Sequence, residues 1–340
     1  MAIVRWLLLP FTILYSLIIW LRNKLYDLGI FSSQQFKVNS IVIGNLAIGG
    51  AGKSPLVQYL IQHFKGQYKL ATLSRGYGRK TKGFRLVNLS DTATEVGDEP
   101  LQFKKNYPDI TVAVDENRAE GIQMLQKEHQ LILLDDAFQH RKITPTCAIL
   151  LFDYPSLLSP ILLLPTGNFR DTFDQTKRAD IILITKCPDH IPAADRETII
   201  KKLRKQQPSA GIYFSSIQYL GPIAIQGLQE APQLRNFHIL LLTGIANPKP
   251  LYAFLSSEKL NYQKLTFPDH HNFSQQDYQK IAAAYAAIPA ANKLILCTEK
   301  DAQRLDLSQL SGIPIAYIPI ASKIENEAAF LENIQRFLPY

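Results

Sequence analysis

A glycine-rich loop between a short apolar run and a helical pattern constrains the fold of this chain more than any other sequence feature. Residues 40–44 have the β-branched composition of a buried strand, and residues 53–64 have the apolar periodicity of a helix. Strand, loop and helix in this order are the setting of a Walker A loop, whose backbone N–H groups cradle phosphate oxygens. The loop residues are Ala47, Ile48, Gly49, Gly50, Ala51, Gly52, Lys53 and Ser54.

Two of these residues carry chemistry. Lys53 is predicted to reach the β- and γ-phosphates of ATP, and the Ser54 hydroxyl is predicted to bind Mg²⁺. Ala47 stands where the minimal pattern has glycine, and Pro55 lies at the helix start, where proline is tolerated. The alternative is a glycine-rich turn with an exposed lysine, but the flanking strand and helix favour the phosphate loop.

A second apolar run, residues 131–134, ends in the two acids Asp135 and Asp136. This is how a Walker B strand presents a carboxylate to magnesium at the carboxyl edge of a sheet. Successive side chains of a strand point to opposite faces, so the two acids are expected to have different roles. Alone, the pair could also be a loop start or a helix cap.

The alternation of strand and helix patterns predicts an α/β fold. A P-loop NTPase-like lobe with a mainly parallel sheet is predicted over residues 38–206, after an N-terminal membrane-associated helix within residues 1–37. A linker over 207–237 and a smaller second α/β lobe over 238–340 follow. Predicted strands are 40–44, 69–73, 110–114, 131–134, 148–152, 180–185, 238–243 and 293–297, and predicted helices are 53–64, 116–128, 194–205, 250–257, 274–287 and 323–337.

The formal net charge of +8 favours anionic partners. Because the basic residues form neither a long run nor a helical stripe interleaved with aromatics, phospholipid or a phosphorylated small molecule is favoured over nucleic acid. No obligatory protein partner is implied. Cys147, Cys187 and Cys297 lie far apart, without the spacing of metal ligands or of a disulfide framework, and are interpreted as reduced and buried.

Residues 6–21 carry no charge, and Arg5 and Arg22 flank them. The run is short for a bilayer span and contains Pro10, so an embedded or interfacial helix on an anionic leaflet is preferred. A cleaved signal peptide lacks support, since no small-residue cleavage site follows. A buried core helix is the other alternative.

The chain resembles the tetraacyldisaccharide 4'-kinase family, the lipid A 4'-kinases, over most of its 340 residues. The resemblance implies transfer of the ATP γ-phosphate to the 4'-hydroxyl of a tetraacyl glucosamine disaccharide 1-phosphate, at the cytoplasmic face of the bacterial inner membrane. The motifs that carry it are residues 44–46 with the loop 49–54, then 74–78, 96–100, 135–140 and 298–301.

The resemblance also implies site residues. It places a catalytic carboxylate at Asp98, which would accept the hydroxyl proton, with Glu99 as second candidate or supporting charge. His270 would tune or orient Asp98, whereas His271 is interpreted as structural. Magnesium ligands are implied at Gln139 and Asp171 in addition to Ser54, Asp135 and Asp136, although Asp171 stands where the family has the longer glutamate. Arg75, Arg118 and Arg170 are the implied clamps for nucleotide or substrate phosphate.

Two other functions use the same features. Thr298, Lys300 and Asp301 resemble the base-reading Asn-Lys-x-Asp of GTPases, without its asparagine, so a membrane-associated nucleotide switch is the alternative to a kinase. A scaffold without chemistry is the third reading. The coexistence of Lys53 and Asp98 favours catalysis, because a scaffold needs no base.

Overall fold

The computed structural model describes residues 5–269 and 271–338. The chain forms two compact units. The first unit contains the described residues up to Asp91, then Glu95–Ile217, and the chain from Ser322 onward. The second contains Thr92–Thr94 and Gln218–Ala321.

The strands are short, as the spacing of apolar runs predicts. In chain order they are β1 (Gln34–Gln35), β2 (Asn39–Asn45), β3 (Leu70–Ser74), β4 (Arg85–Leu86), β5 (Thr111–Val114), β6 (Leu131–Asp135), β7 (Ile143–Thr144), β8 (Cys147–Asp153), β9 (Ile181–Thr185), β10 (Gly211–Tyr219), β11 (Ile223–Gln226), β12 (His238–Thr243), β13 (Tyr262–Thr266), β14 (Lys293–Thr298), β15 (Ile315–Ile318) and β16 (Ile320–Ile324).

The helices alternate with these strands. In chain order they are α1 (Leu9–Asp27), α2 (Lys53–Phe64), α3 (Ala93–Val96), α4 (Asp98–Asn106), α5 (Arg118–Leu125), α6 (Tyr154–Leu158), α7 (Ala193–Gln206), α8 (Lys249–Ser257), α9 (Gln275–Ala286), α10 (Glu299–Ala302) and α11 (Glu327–Gln335). Short 3₁₀ turns occupy Phe173–Arg178, Leu234–Asn236 and Leu307–Leu310.

The large sheet of the first unit has the strand order β16-β10-β9-β8-β2-β6-β3-β5-β4. Neighbouring strands from β10 to β5 are parallel, and β4 pairs antiparallel with β5. Strands β6 and β9 are buried along their whole length, which explains why their sequences are continuous apolar runs instead of alternating ones. The fold predicted from the sequence, a mainly parallel P-loop sheet, is confirmed.

The sheet of the second unit has the order β11-β15-β14-β12-β13. Strands β12 to β15 pair in parallel, and β11 is antiparallel to β15. Helix α9 starts with a capping box in which Ser274 and Asp277 bond each other's backbone N–H groups. A smaller α/β unit with a mostly parallel sheet therefore follows the first, as expected.

The division of the chain differs from the predicted bounds. The stretch 207–237, predicted as a linker, contributes β10 to the first sheet and β11 to the second. Residues 322–338, predicted as part of the second lobe, return to the first unit, where Phe330 and Ile334 are buried. The predicted helix 323–337 begins only at Glu327, because the preceding residues form β16.

Helix α1 packs on the first unit through its polar residues. Thr12 and Asn23 are its buried side chains. The Thr12 hydroxyl donates to Thr166 Oγ1 at 2.7 Å, and Asn23 Nδ2 donates to Asp171 Oδ1 at 2.8 Å. The apolar side chains face outward instead. Those exposed between residues 6 and 21 are Trp6, Leu7, Leu9, Phe11, Ile13, Leu14, Leu17, Ile18, Trp20 and Leu21.

Within residues 5–269 and 271–338, no helix combines the length and the apolar character needed to cross a bilayer.

Candidate nucleotide and phosphotransfer site

The glycine-rich loop connects β2 to α2, as the sequence predicts. Gly52 precedes α2 in the left-handed region with φ of 82°, and Gly49 has φ of 103°. Glycine adopts these angles without steric cost. The Ala51 carbonyl accepts a hydrogen bond from the Thr185 hydroxyl at 2.8 Å, so the loop is fastened to the end of β9.

Lys53 is the first residue of α2, and its ammonium is held by two side chains. It donates to Asn45 Oδ1 at 3.1 Å and lies 3.6 Å from Asp136 Oδ1. Asn45 ends β2 and is buried, and its Nδ2 donates to the Ala47 carbonyl at 2.6 Å. Asn45 is a site residue that the sequence interpretation missed, although its position two residues before the loop was a usable signal.

Asp135 and Asp136 have different environments, as their opposite orientation on β6 predicts. Asp135 pairs in register with Ile43, and its Oδ1 has no hydrogen-bond partner among the described residues. Burial and the charge of Glu99 raise the pKa of Asp135 to about 7. Burial would also raise the pKa of Asp136, but the charge of Lys53 and the hydrogen bonds and charge of Arg170 lower it. Asp136 therefore carries the stable negative charge of the pair.

Ser54 and Glu99 are brought together by the fold. The Ser54 hydroxyl donates to the Glu99 carboxylate, across 45 positions of sequence. Glu99 lies in the first turn of α4, close enough to Asp135 to raise its pKa. One hydroxyl and two carboxylates thus converge beside Lys53. These oxygen donors fit Mg²⁺, which proteins hold with one or two carboxylates and the phosphates of the substrate.

Among the residues that the structure describes, no cluster of three or more His, Cys, Asp and Glu side chains is arranged to hold a metal alone. Two of the predicted ligands make hydrogen bonds to other parts of the first unit. Gln139 Nε2 donates to the Asn45 carbonyl at 2.8 Å. Asp171 accepts hydrogen bonds from Asn23 and from its neighbour Thr172, so its carboxylate holds helix α1.

Asp98 is the half-buried first residue of α4. It follows Gly97, which has φ of 94° and lies so close to Gly76 that an added Cβ would approach the Gly76 backbone to 3.1 Å. This backbone contact places the Asp98 turn against the loop at Arg75 and Tyr77. The motifs 74–78 and 96–100, separate in sequence, form one surface.

The three predicted arginine clamps differ in exposure. Arg75 is exposed at the end of β3, whereas Arg118 is fully buried and donates to the Asp115 carbonyl at 2.8 Å. Burial lowers the pKa of Arg118 to about 10, while the charges of Asp135 and Asp136 oppose that shift. Arg170 bonds both oxygens of Asp136, and its Nη2 donates to Asn45 Oδ1 at 3.0 Å.

His140 was not singled out from the sequence, although it closes the motif 135–140. Burial lowers its pKa to about 4, and the nearby charges of Arg118 and Arg75 act in the same direction. A neutral imidazole therefore lies among cationic side chains at this edge of the sheet.

His270 lies outside the described residues. His271, in the second unit, donates a hydrogen bond from Nε2 to Asp277 Oδ2 at 3.0 Å and stacks on Phe267. These contacts hold the His271 ring within the second unit.

The cluster at Thr298 and Asp301 does not have the form of a base-reading site. Asp301 is completely buried in the second unit. Its carboxylate accepts hydrogen bonds from the Thr298 hydroxyl at 2.7 Å and from the Gly244 N–H at 3.1 Å. The side chain that would read a base is thus used to join the ends of β12 and β14.

Comparison with known proteins places these residues in one family. The family described as "Tetraacyldisaccharide-1-P 4'-kinase" matches residues 4–339. The tetraacyldisaccharide 4'-kinase of Flavobacterium johnsoniae is 42% identical over 332 residues, covering 96% of this chain and 94% of the relative. That of Phocaeicola vulgatus is 38% identical over 342 residues, covering 97% and 92% respectively.

The fold of the chain is similar to that of a solved structure. The crystal structure of LpxK from Aquifex aeolicus in complex with ATP is 27% identical in sequence and matches with a TM-score of 0.77. The match covers 99% of this chain and 100% of that one.

Proposed function

Because the chain belongs to the tetraacyldisaccharide-1-P 4'-kinase family, it is an ATP-dependent kinase of lipid A biosynthesis, and we propose which of its residues perform the transfer. The reaction moves the γ-phosphate of ATP to the 4'-hydroxyl of a tetraacyl glucosamine disaccharide 1-phosphate. The observation that carries the assignment is the convergence of Lys53, Asp135 and the Ser54–Glu99 pair at the carboxyl edge of β2 and β6.

Phosphoryl transfer depends on positioning and on neutralising charge, since its transition state is loose. We assign Lys53 to the oxygens that gain charge as the γ-phosphate leaves ADP. Asn45 and Asp136 hold the ammonium in place from two sides. Arg118 and Arg75 supply further positive charge, and Arg170 keeps Asp136 and Asn45 in position.

Ser54 and Asp135 would hold Mg²⁺, with Glu99 as a third oxygen donor. The unpartnered Oδ1 of buried Asp135 supports this assignment, because an orphaned buried oxygen is costly unless a ligand satisfies it. The metal would neutralise charge on the β- and γ-phosphates. Gln139 positions Asn45 by donating to its carbonyl. Asp171 holds helix α1 through Oδ1, while its buried Oδ2 has no partner among the described residues, so we keep Asp171 as a candidate for the metal shell.

We assign Asp98 as the base. The 4'-hydroxyl oxygen forms a bond to the γ-phosphorus, the bond to the bridging oxygen of ADP breaks, and the hydroxyl proton passes to Asp98. The contact between Gly97 and Gly76 supports a fixed position for this carboxylate. The role of His270 stays the prediction made from its motif.

We propose that helix α1 lies in the surface of an anionic membrane, which for this pathway is the cytoplasmic face of the inner membrane. A helix that buries Thr12 and Asn23 and exposes Leu14 and Leu17 has its apolar face available to lipid acyl chains. The same helix contacts Arg170 through the Tyr15 hydroxyl, at 2.8 Å from the Arg170 carbonyl. The membrane surface and the transfer site are thereby adjacent within the first unit.

The test is phosphorylation of defined acceptors. Purified protein is incubated with γ-labelled ATP and Mg²⁺ and with a tetraacyl disaccharide 1-phosphate, a diacyl monosaccharide 1-phosphate, or glucosamine. We expect label only on the disaccharide, at the 4'-position. Label on the soluble sugar, or release of inorganic phosphate that is independent of any acceptor, would contradict the proposal.

A further inference from the structure

Thr185 fastens the phosphate loop from the neighbouring side of the sheet. Its hydroxyl donates to the Ala51 carbonyl at 2.8 Å, and its side chain would lie 3.4 Å from a Cβ added at Gly52. Thr185 is buried and ends β9, two strands away from β2. The loop therefore takes part of its shape from a residue outside the Walker A motif.

Lys186 follows Thr185 in a conformation that side chains other than glycine seldom adopt, with φ of 56°. This backbone directs the lysine over the phosphate loop, where Nζ lies 3.9 Å from the position of a Cβ added at Gly50. Strained conformations of this kind persist where the surrounding structure requires them, and they cluster at ligand-binding sites. Lys186 is half-buried, so part of its stem stays accessible.

The sheet order indicates which part of the nucleotide Lys186 faces. Asp136 and Lys53 mark the terminal phosphate, on the side of β2 that carries β6. Arg75 and Asp98 lie further in that direction, beyond β6, where the acceptor is proposed to bind. A nucleoside extending away from the terminal phosphate therefore passes toward β8 and β9, and Lys186 is at the end of β9.

We propose that Lys186 is a nucleoside-binding residue of the ATP site, packing its stem on the base and ribose while its ammonium stays above Gly50. This rests on the proposed nucleotide site at the Walker A loop. Long lysine stems cover apolar surfaces in this way while the charged group stays in a polar environment.

The neighbouring sequence indicates the type of base. Thr185, Lys186 and Pro188 occupy the positions of Asn, Lys and Asp in the base-reading motif of GTPases. The Pro188 side chain has no hydrogen-bond acceptor for the guanine N–H groups, so this position lacks the carboxylate that selects guanine in GTPases. This supports adenine as the base. It also places the GTPase-like pattern at β9, in the first unit, instead of at residues 298–301.

Binding of three ligands by Lys186→Ala tests the proposal. Isothermal titration in Mg²⁺ compares ATP, ADP and inorganic tripolyphosphate, which has the phosphates but no nucleoside. We expect Kd for ATP and ADP to rise about tenfold. Kd for tripolyphosphate should rise only about twofold, because it loses the charge over Gly50 but has no nucleoside to lose contact with the lysine stem. Equal weakening of all three ligands, or unchanged ATP binding, would overturn the assignment.

Two variants separate this result from other causes. Lys259→Ala removes a lysine with the same φ of 56° from the second unit, so it controls for charge and for backbone strain, and it should bind all ligands normally. Lys53→Ala should weaken tripolyphosphate as well as ATP. Failure of the proposed function would instead appear as a wild-type chain that binds ATP but labels no lipid.

Discussion

The side-chain oxygen of Asn45 accepts a hydrogen bond from Arg170 at 3.0 Å, and the same oxygen accepts one from Lys53 at 3.1 Å. Two cations thus share one neutral acceptor at the end of β2, with the Asp136 carboxylate on their other side. A neutral amide can orient both cations without cancelling their charge. Asn45 consequently sets the position of the positive charge available to the transferring phosphate.

Replacing Asn45 by alanine should lower kcat about ten- to a hundredfold, because hydrogen bonds to charged groups contribute about 1.5 to 3 kcal/mol. Steady-state rates with the lipid acceptor provide the measurement. Asn236→Ala, at an exposed asparagine of the second unit, is the matched control. An unchanged kcat in Asn45→Ala would show that Asp136 alone positions Lys53.

Lys53→Ala should reduce turnover by about a hundredfold or more, since it removes a fixed positive charge where the leaving phosphate gains negative charge. Single-turnover rates at saturating ATP separate this loss from weaker binding. Lys65→Ala is the control, because Lys65 follows the C-terminal end of α2 and pairs with Asp109 at 3.3 Å on the surface. This variant should keep its activity. Retention of full turnover by Lys53→Ala is incompatible with the phosphate-loop assignment.

Asp98→Asn should slow the reaction by roughly 10²- to 10⁴-fold, the usual contribution of a general base, while ATP affinity stays near the wild-type value. The substitution keeps the shape of the side chain but removes the proton acceptor. Turnover and nucleotide titration are measured on the same preparation, with Asp109→Asn as an exposed control. If Asp98→Asn loses activity only through loss of ATP binding, Glu99 becomes the leading candidate for the base.

Leu14→Glu combined with Leu17→Glu should weaken association with anionic vesicles about tenfold or more, because each change puts a charge on the outward face of α1. Both leucines are 57% exposed, so the melting temperature should change little. Met124→Glu, at a residue of similar exposure on α5, is the control. Unchanged sedimentation of the double variant with vesicles would show that α1 is not the membrane contact. Deleting the helix is a less clean experiment, since it also removes Asn23 from Asp171.

Acidification should destabilise the free protein through His140. Its pKa of about 4 in the folded chain lies below the value of about 6.5 in an unfolded chain, mainly because of burial. Between these two pKa values His140 is protonated in the unfolded chain and neutral in the folded chain. Its effect on the free energy of unfolding is therefore absent above pH 6.5, and the folded state is destabilised progressively as pH falls toward 4. His140→Gln should lose less free energy of unfolding between pH 7 and pH 5 than the wild type in urea titrations. His238→Gln replaces an exposed histidine as control. If His140→Gln and the wild type lose the same free energy of unfolding between pH 7 and pH 5, His140 is not the cause of the acid destabilisation.

The sequence alone was sufficient to predict those parts of the candidate site that are formed by consecutive residues. The loop from Ala47 to Ser54 and the strand ending in Asp135 were predicted because each motif specifies its own backbone. The helix that begins at Asp98 was not among the predicted helices; its third residue is Pro100, which a helix tolerates in its first turn. The pairing of Ser54 with Glu99 could not be predicted from spacing, since only the fold joins residues 45 positions apart.

Long-range packing also decides the residues that were assigned differently. Asp171 was predicted as a metal ligand, and the hydrogen bond that its Oδ1 accepts from Asn23 of α1 was not predicted, because nothing in the local sequence of either residue indicates that contact. The bounds of the second unit were displaced because a strand pattern alone does not state which sheet the strand joins. Strand β10 and the chain after Ser322 both belong to the first unit.

The return of the chain to the first unit makes the second unit an insertion. The Glu325 N–H donates to the Phe214 carbonyl at 2.9 Å, and the Leu220 N–H donates to the Pro319 carbonyl at the same distance, so the outgoing and incoming segments run side by side. Residues 218–321 could accordingly be replaced by a short turn between β10 and the remaining residues of β16, Ser322–Ile324, without interrupting the chain of the nucleotide-binding unit. Truncation from the C-terminus would have the opposite effect, because it removes the buried Phe330 and Ile334 from that unit first. The first unit alone is thus the piece of this chain in which ATP binding could be measured apart from everything the inserted unit contributes.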